Sequence, residues 1–468
     1  MITRTPPSFQ SSLAIARPFH FSEPFSRAFQ ELVEAQRPRS LLCHVTTRVE
    51  YTQRQLSLAK GSSVTDTFSK QVTGTLAGIR VIDLTNVYSG PIAASILGDQ
   101  GADVIKVEAP SGDMQRGPFR FVRNGLDGQF AMNNRNKRSI VVDLTREEGK
   151  SVLRSLIRDA DVLMENYRPD VMTKFGFSFE EVHKLNPKLV YASINGYGSE
   201  GPYAGQRVYD AVIQAASGIA TLQADRESGR PQMINSLICD KLTSLTAAQS
   251  ICSALLAQER HGIGQHVQVA MIDAALYFMW PDGMGNEHFL PDAELGDVAR
   301  FPDGNHAHML KETNDGYLAT MPVQPREIAA LVKAMGITEA LGDDGMLLPP
   351  DQRVHLNLGS LINEGFKAMT TEEACHVLEE NQVPYGRIDP RDQVLNNPQI
   401  QAMGSIVQFQ HPQGGAMQQP RPPAQFSETP SGIHRCSPRL GEHTDEILAE
   451  VGLSEREISQ LREAGAIA

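Results

Sequence analysis

Between residue 78 and about residue 275, short runs rich in β-branched residues alternate with stretches whose apolar positions recur every three or four residues. The run at 79–84 predicts a strand. Gly90-Pro91 then opens a helix of small residues, with Pro91 suited to the first turn, and Gly98 and Gly101 end it. A second strand is predicted at 104–107, a third at 139–144, a fourth at 162–165 and a fifth at 189–195, the last running into Gly196-Tyr197-Gly198. The spacing predicts amphipathic helices at 146–160 and 179–186. A long core-facing helix is predicted at 241–260, where Leu242, Leu245, Ile251, Cys252 and Leu255 mark the apolar face. A strand at 265–271 and a helix at 273–279 complete the series. Regular strand–helix alternation is the pattern of a parallel sheet with helices on its faces, so the fold class is α/β.

The texture changes near Pro281. Asn314-Asp315-Gly316 is a hairpin signal ahead of a strand at 317–321, and helices are predicted at 327–335 and 371–381. The reading is a large domain over 76–280 and a smaller α+β domain over 281–390. A C-terminal segment over 391–468 returns to the large domain. Residues 411–430 read as an extended Pro/Gly-rich passage and not as a core element, before a helix that runs from Thr444 to Val451. Residues 1–75 lack the alternation and carry no acid before Glu23. They are expected to be an N-terminal extension: disordered, placed there by an upstream start codon, or a mitochondrial transit peptide.

Composition narrows the function classes. At 468 residues the chain is long enough for more than one core. The 41% hydrophobic and 21% charged residues are those of an ordinary globular protein, with no apolar run of membrane-spanning length. A formal charge of -12 argues against bulk nucleic-acid or anionic-membrane binding, so an anionic ligand needs a local basic cluster. The five cysteines form no CxxC pair, which points to a reducing compartment and an inert, buried Cys239. The expected location is cytoplasmic, or the mitochondrial matrix if the extension is a transit peptide.

The unit at 78–110 puts a helix N-terminus beside the end of a parallel strand, where nucleotide phosphates bind. Its turn reads Asn86-Val87-Tyr88-Ser89-Gly90 and not GxGxxG, which disfavours a redox dinucleotide with Glu108 on the ribose. Asp240 follows Leu237-Ile238-Cys239 and opens the long helix. The positive end of the helix dipole should keep it ionised at neutral pH, fit for nucleophilic attack on an acyl carbon, although Asp is also an ordinary N-cap. Tyr209-Asp210 reads as a capping Asp beside a packed Tyr, or as the lining of a cleft. NRNKRS at 134–139 and ENYR at 165–168 supply Lys137, Arg138 and Arg168, either solvated surface or a phosphate site. His306 and His308 have metal-like spacing without a third ligand.

These pieces occur in a fixed order: LAGIRVIDLTNVYSGP, GADVIKVEAP, NRNKRSIVVDL, DVLMENYRPDVMTKFGFS, LNPKLVYASINGYGSEGPY, RVYDAVIQAASG, LICDKLTSL, QHVQVAMIDAAL, VPYGRI and LGEHTDEIL. In that order they resemble the class III coenzyme A transferases, the family of formyl-CoA transferase and carnitine CoA-transferase. The resemblance runs from about Leu76 to the C-terminus. It implies a Rossmann-like large domain with a smaller one, in a ring-shaped subunit of an interlocked homodimer. It implies a CoA thioester as substrate and no permanently bound cofactor, with acyl-CoA and a small carboxylic acid as partners. The family nucleophile falls on Asp240, which would carry an aspartyl-CoA thioester. Val87 and Tyr88 would lie near the reacting centre. Lys137, Asn166, Tyr167, Lys174, Arg207 and Tyr209 would line the CoA path. Tyr88 stands where formyl-CoA transferase carries glutamine, and the glycine-rich loop of that enzyme has no counterpart over 301–316. Both departures weigh against oxalate and formate. The related acyl-CoA racemases place His where this chain has Tyr209, which favours transfer over racemisation. A dinucleotide-dependent oxidoreductase and a non-catalytic CoA-binding scaffold are the alternatives from other classes.

Overall fold

The computed structural model describes residues 74–117, 121–225, 227–290 and 306–468. Residues 1–73 of the expected extension and residues 301–305 of the 301–316 loop lie outside them. Six strands form one parallel sheet: β1 (Arg80–Asp83), β2 (Asp103–Glu108), β3 (Lys137–Val141), β4 (Val162–Glu165), β5 (Val190–Asn195) and β6 (His266–Ala270). Their order is β3-β2-β1-β4-β5-β6. The order reverses between β1 and β4, and ligands of open α/β sheets bind in the crevice beyond the strand ends at such a point.

A strand buried on both faces reads as a near-continuous apolar run, as β4 does, whereas β3 buries Lys137, Arg138 and Ser139 as well. One face packs on α1 (Ser89–Asp99) and α4 (Ile238–His261), through Ala93, Ala94, Leu97, Ala247 and Ile251. The other packs on α2 (Glu147–Arg158) through Val152, Leu153, Leu156 and Ile157. The C-terminal helices α9 (Thr444–Glu450) and α10 (Glu455–Glu463) add Ile447, Leu448 and Ile458 to that second cluster.

Two expectations fail in instructive ways. The buried stripe of α4 is Cys239, Thr243, Ser244, Ala247, Ala248, Ile251, Ala254 and Leu255, while Leu245 is 60% exposed. Small residues let α4 approach α1 closely, so residue volume and not hydropathy selects the inner face. The run NRNKRS is not solvated surface, for all six residues are buried, the first three in a turn and the last three in a strand. Strand β3 accordingly begins at Lys137, two residues before the apolar pattern places it.

Beyond the large sheet, β7 (Leu310–Glu312), β8 (Tyr317–Thr320) and β9 (Tyr385–Arg387) form an antiparallel sheet with β8 in the centre. The Asn314-Asp315-Gly316 turn joins β7 to β8 as the hairpin signal requires. Helices α6 (Pro325–Ala334), α7 (Leu358–Lys367) and α8 (Thr371–Glu380) cover it through Leu331, Phe366, Ala374 and Leu378, around Leu318. The passage expected to be merely extended over 411–430 supplies the turn and second strand of a β-hairpin, β11 (Gly415–Pro420), which pairs with β10 (Ile406–His411). Arg135 ties this hairpin down by donating to the Pro420 carbonyl at 2.8 Å and the Gln419 amide oxygen at 3.3 Å. A local reading of the Pro/Gly content has no access to that contact.

Candidate active site

The turn between β1 and α1 lies at the switch point, and buried charges hold it. Lys137 Nζ donates to Asp83 (2.8 Å), the Pro91 carbonyl (2.9 Å) and the Asn134 amide oxygen (3.0 Å). Lys106 Nζ donates to the Thr85 carbonyl (2.8 Å) and to Asp113 (2.9 Å). Asp83 takes the Thr85 N–H at 2.9 Å. The side chains of Asp83, Lys106, Asp113 and Lys137 are all fully shielded from solvent. Burial acts to raise the Asp83 and Asp113 carboxyls, but Lys137 and Lys106 outweigh it and hold both below the usual carboxylate range. Burial draws Lys137 down to about 8, so it remains a cation at neutral pH. On the β4 side, the Asn166 amide clamps Asn86, accepting from its N–H and donating to its carbonyl, both at 2.8 Å. Side chains thus do for this turn what glycines do in a phosphate-binding loop.

Asp240 stands across from the turn. The α4 helix begins at Ile238, so Asp240 lies in its first turn and not at its cap, three positions deeper than the apolar pattern suggests. Its backbone N–H donates to Asp210 at 3.0 Å, and Asp210 is itself buried and takes a bond from Gln214 at 2.5 Å. Asp210 therefore satisfies a first-turn N–H of α4 that the Leu237 cap leaves open. Ser89, the first residue of α1, lines the same cavity, and its N–H and hydroxyl lie near enough to the Asp240 carboxyl to draw its pKa down. Ser244 Oγ bonds the Ser89 carbonyl (2.8 Å) and the Asp240 carbonyl (2.7 Å), locking the two helix starts together. Two positive helix ends thus converge on one carboxylate. Even so, burial, followed by the charge on Asp210, pushes Asp240 up to about 7, against the pull of Lys241 and Ser89. The expectation of an Asp240 kept ionised by the helix dipole is corrected: burial holds its carboxyl well above the ordinary carboxylate range, and among the described residues no buried cation is paired with it. Lys241, whose charge pulls the other way, extends to Ser236 at 2.6 Å on the exposed side.

A cavity of about 250 Å³ opens here. Its lining includes Val87, Tyr88, Ser89, Asn166, Tyr167, Arg168, Arg207, Tyr209 and Asp240, from four separate stretches of sequence. Of the nine site residues taken from the sequence, seven meet in this one place. The other two do not. Lys137 lies below the turn with three acceptors already matched to its three N–H donors, so it has none left for a phosphate. Lys174 is exposed on the short helix Val171–Phe175, outside the cavity lining. Glu108 cannot read a ribose: it is 2% exposed and grips Arg116 through two bonds of 2.7 Å. Arg138 is consumed by Asp103, Glu446 and Glu450. Cys239 is buried, and burial together with Asp210 and Asp240 pushes its thiol up to about 12, which makes it inert. Sequence reasoning missed Ser89, Lys106 and Asp113. Their one available signal was polar character inside strand and turn segments that otherwise read as buried.

An adjoining cavity of about 220 Å³ shares Tyr167, Arg168, Pro169 and Asn195 with the first. Glu165 lines it, and burial pushes its carboxyl up to about 6. Among the described residues no group of His, Cys, Asp and Glu is placed to hold a metal ion, and no helix is long and apolar enough to cross a membrane.

Residues 76–444, which carry the turn, the sheet and Asp240, match the model of CoA-transferase family III. The chain belongs to CoA-transferase family III. A family III transferase is an enzyme that moves CoA between acids. This one is similar to a succinate–glutarate CoA-transferase of Agrobacterium fabrum, at 34% identity over 395 residues, covering 81% of this chain and 96% of that protein. It is also similar to a formyl-CoA:oxalate CoA-transferase of Rhodopseudomonas palustris, at 32% identity over 85% of this chain and 98% of that protein. Among solved structures, a CAIB/BAIF family protein from Brucella suis superposes with a TM-score of 0.68 at 31% identity, covering 81% of the transferase and 100% of that chain. Rv3272 from M. tuberculosis gives 0.68 at 28% identity, with coverage of 80% and 99%.

Proposed function

We propose that the protein transfers CoA from an acyl-CoA to a carboxylic acid through an aspartyl-CoA thioester on Asp240. The observation that carries this reading is the Asp240 carboxylate, set on the cavity wall between two helix starts and, among the described residues, paired with no buried cation that would hold it inert. One Asp240 oxygen attacks the donor's carbonyl carbon; the C–S bond breaks, leaving a mixed anhydride and CoA thiolate. The thiolate then attacks the Asp240 carbonyl, expelling the donor acid and forming the thioester. The acceptor carboxylate runs the two steps in reverse, regenerating Asp240 and leaving as the new acyl-CoA. One thioester replaces another, so no ATP is consumed. A cavity of this volume suits the reacting end of the thioester and not the whole of CoA. Arg168 and Arg207 in its lining, and Lys174 on the surface nearby, are the cations for the phosphates or for an acceptor carboxylate. Tyr209 is a phenol and 62% exposed, which suits substrate contact better than proton shuttling at an α-carbon.

The same reading covers the architecture: a Rossmann-like domain over 76–280, a small domain over 281–390 and a returning C-terminal segment, in one ring of an interlocked homodimer. Its support is the apolar surface left open by the single chain, including Tyr277 at 86%, Leu290 at 85% and Phe289 at 69% exposure. Sedimentation at micromolar concentration should give twice the chain mass, and a monomer would remove that part. For the chemistry, the protein is incubated with succinyl-CoA and other acyl-CoA donors and digested for mass spectrometry. A hydroxylamine-sensitive CoA adduct on Asp240 is expected. Turnover with a panel of carboxylic acids but no adduct would sink the covalent route, and CoA binding without turnover would favour a scaffold.

A further inference from the structure

We propose that Asp113 is a positioning residue for the transfer reaction, pinning Val87 in a left-handed backbone conformation that delivers the Ser89 donors to Asp240. This rests on the reading of Asp240 as nucleophile and adds the device that aims it. Val87 has φ of 72°, a region that β-branched residues avoid because the branched Cβ crowds the backbone. The other described non-glycine residues with positive φ are Asn124, Asn136, Asp170 and Gln382, all polar and unbranched at Cβ. Such a conformation persists only where the surroundings over-determine it.

Here they do. The Val87 N–H points at the Asp113 carboxylate, 3.3 and 3.4 Å from its two oxygens. That carboxylate is held by Lys106 Nζ at 2.9 Å and the Gln115 N–H at 3.0 Å, while the Asp113 N–H bonds Glu108 at 3.0 Å. Glu108 is in turn fixed by Arg116 and Ser139. The Asn166 clamp fixes the residue before Val87 on both its N–H and its carbonyl. The residues after it are Tyr88 and Ser89, both in the cavity lining with Asp240, and Ser244 Oγ bridges the Ser89 and Asp240 carbonyls at 2.8 and 2.7 Å. Relaxing Val87 to negative φ turns the chain immediately ahead of these two and carries the donors off the carboxylate. Asp113 has no place in the cavity lining, so its effect passes wholly through the turn.

The test is Asp113→Asn, made once in the otherwise unaltered protein and once together with Val87→Gly, since glycine adopts positive φ freely. The amide nitrogen only donates and accepts from neither Lys106 nor Val87, so the clamp weakens while the shape stays. With Val87 in place, kcat should fall about tenfold or more, equivalent to about 1.4 kcal/mol in the barrier, with KM for acyl-CoA within about threefold. The titration midpoint of Asp240, followed by carboxyl-13C NMR, should move upward as the Ser89 donors withdraw. In the Val87→Gly background, Asp113→Asn should cost less than about threefold in kcat and leave the midpoint in place. Unchanged kcat and midpoint in folded Asp113→Asn overturns the proposal, as does an equal loss in both backgrounds. Should the single variant not fold, the double variant decides. A folded double with the Val87→Gly midpoint supports the proposal, and an unfolded one overturns it. If Asp240→Ala retains turnover, the nucleophile reading fails separately, and the midpoint alone judges Asp113.

Discussion

Two groups of carboxylates lie within one end of the sheet and meet opposite electrostatic fates. Under the turn, Asp83 and Asp113 each touch an ammonium and are held below the ordinary carboxylate range. On the cavity walls, the half-buried Asp240 and the buried Glu165 have no ammonium at hydrogen-bond distance among the described residues, and they rise to about 7 and about 6. Burial acts the same way on all four; the presence of a lysine at hydrogen-bond distance decides the outcome. The paired acids make a rigid floor, and the unpaired acid beside the cavity keeps lone pairs that an electrophile can reach.

The largest effect that would sharpen this contrast is loss of the reactive acid. Asp240→Ala should lower kcat by at least about a thousandfold, with CoA affinity by calorimetry changed less than about threefold. Substantial remaining turnover would move the chemistry off the wall. Breaking the floor should instead cost stability. Lys137→Met leaves Asp83 buried and unpaired, and urea melts should show about 3–5 kcal/mol lost, with KM for acyl-CoA unchanged in whatever remains folded. A selective rise in KM with unaltered melting would return Lys137 to a ligand-binding role.

The two groups should also answer pH with opposite signs. Asp240 has a raised folded pKa, so the native state binds the extra proton between about 4 and 7, and its stabilising contribution is lost as pH rises through about 7. Asp83 and Asp113 have lowered values, so their contribution is complete above the ordinary Asp pKa of 3.8 and is lost as pH falls through the folded values. Asp240→Asn should therefore stabilise the protein by about 1–3 kcal/mol at pH 8 and by almost nothing at pH 4. Equal stabilisation at both values would mean that Asp240 is ionised throughout. Smallest of all, Lys174→Ala should raise KM for acyl-CoA only about two- to fivefold, and less at high salt, as an exposed charge does. No salt dependence would take Lys174 out of the phosphate path.

Much of the large sheet was legible in the chain because its strands are apolar runs and its helices carry clear ends. The 162–165 strand was read to the residue, and the β1, β2 and β5 strands to within a residue or so at each end. What escaped was polar and buried. Lys137 and Arg138 begin β3, yet the pattern places that strand at 139–144, two residues late at its start and three at its end. The helix at α10 and the hairpin at β10–β11 also escaped, since exposed amphipathic or Gln-rich segments announce themselves weakly.

The alternating α/β order and the family resemblance are written in the linear chain, because they reside in local patterns and in the order of motifs, and it is the resemblance that points to Asp240. Three further facts exist only in the folded molecule: Lys137 is spent on Asp83, Asp210 caps α4, and Ser89 meets Asp240 across a gap of about 150 residues in the chain. Charge pairing, desolvation and the convergence of two helix ends depend on distances in space, and no linear spacing encodes them.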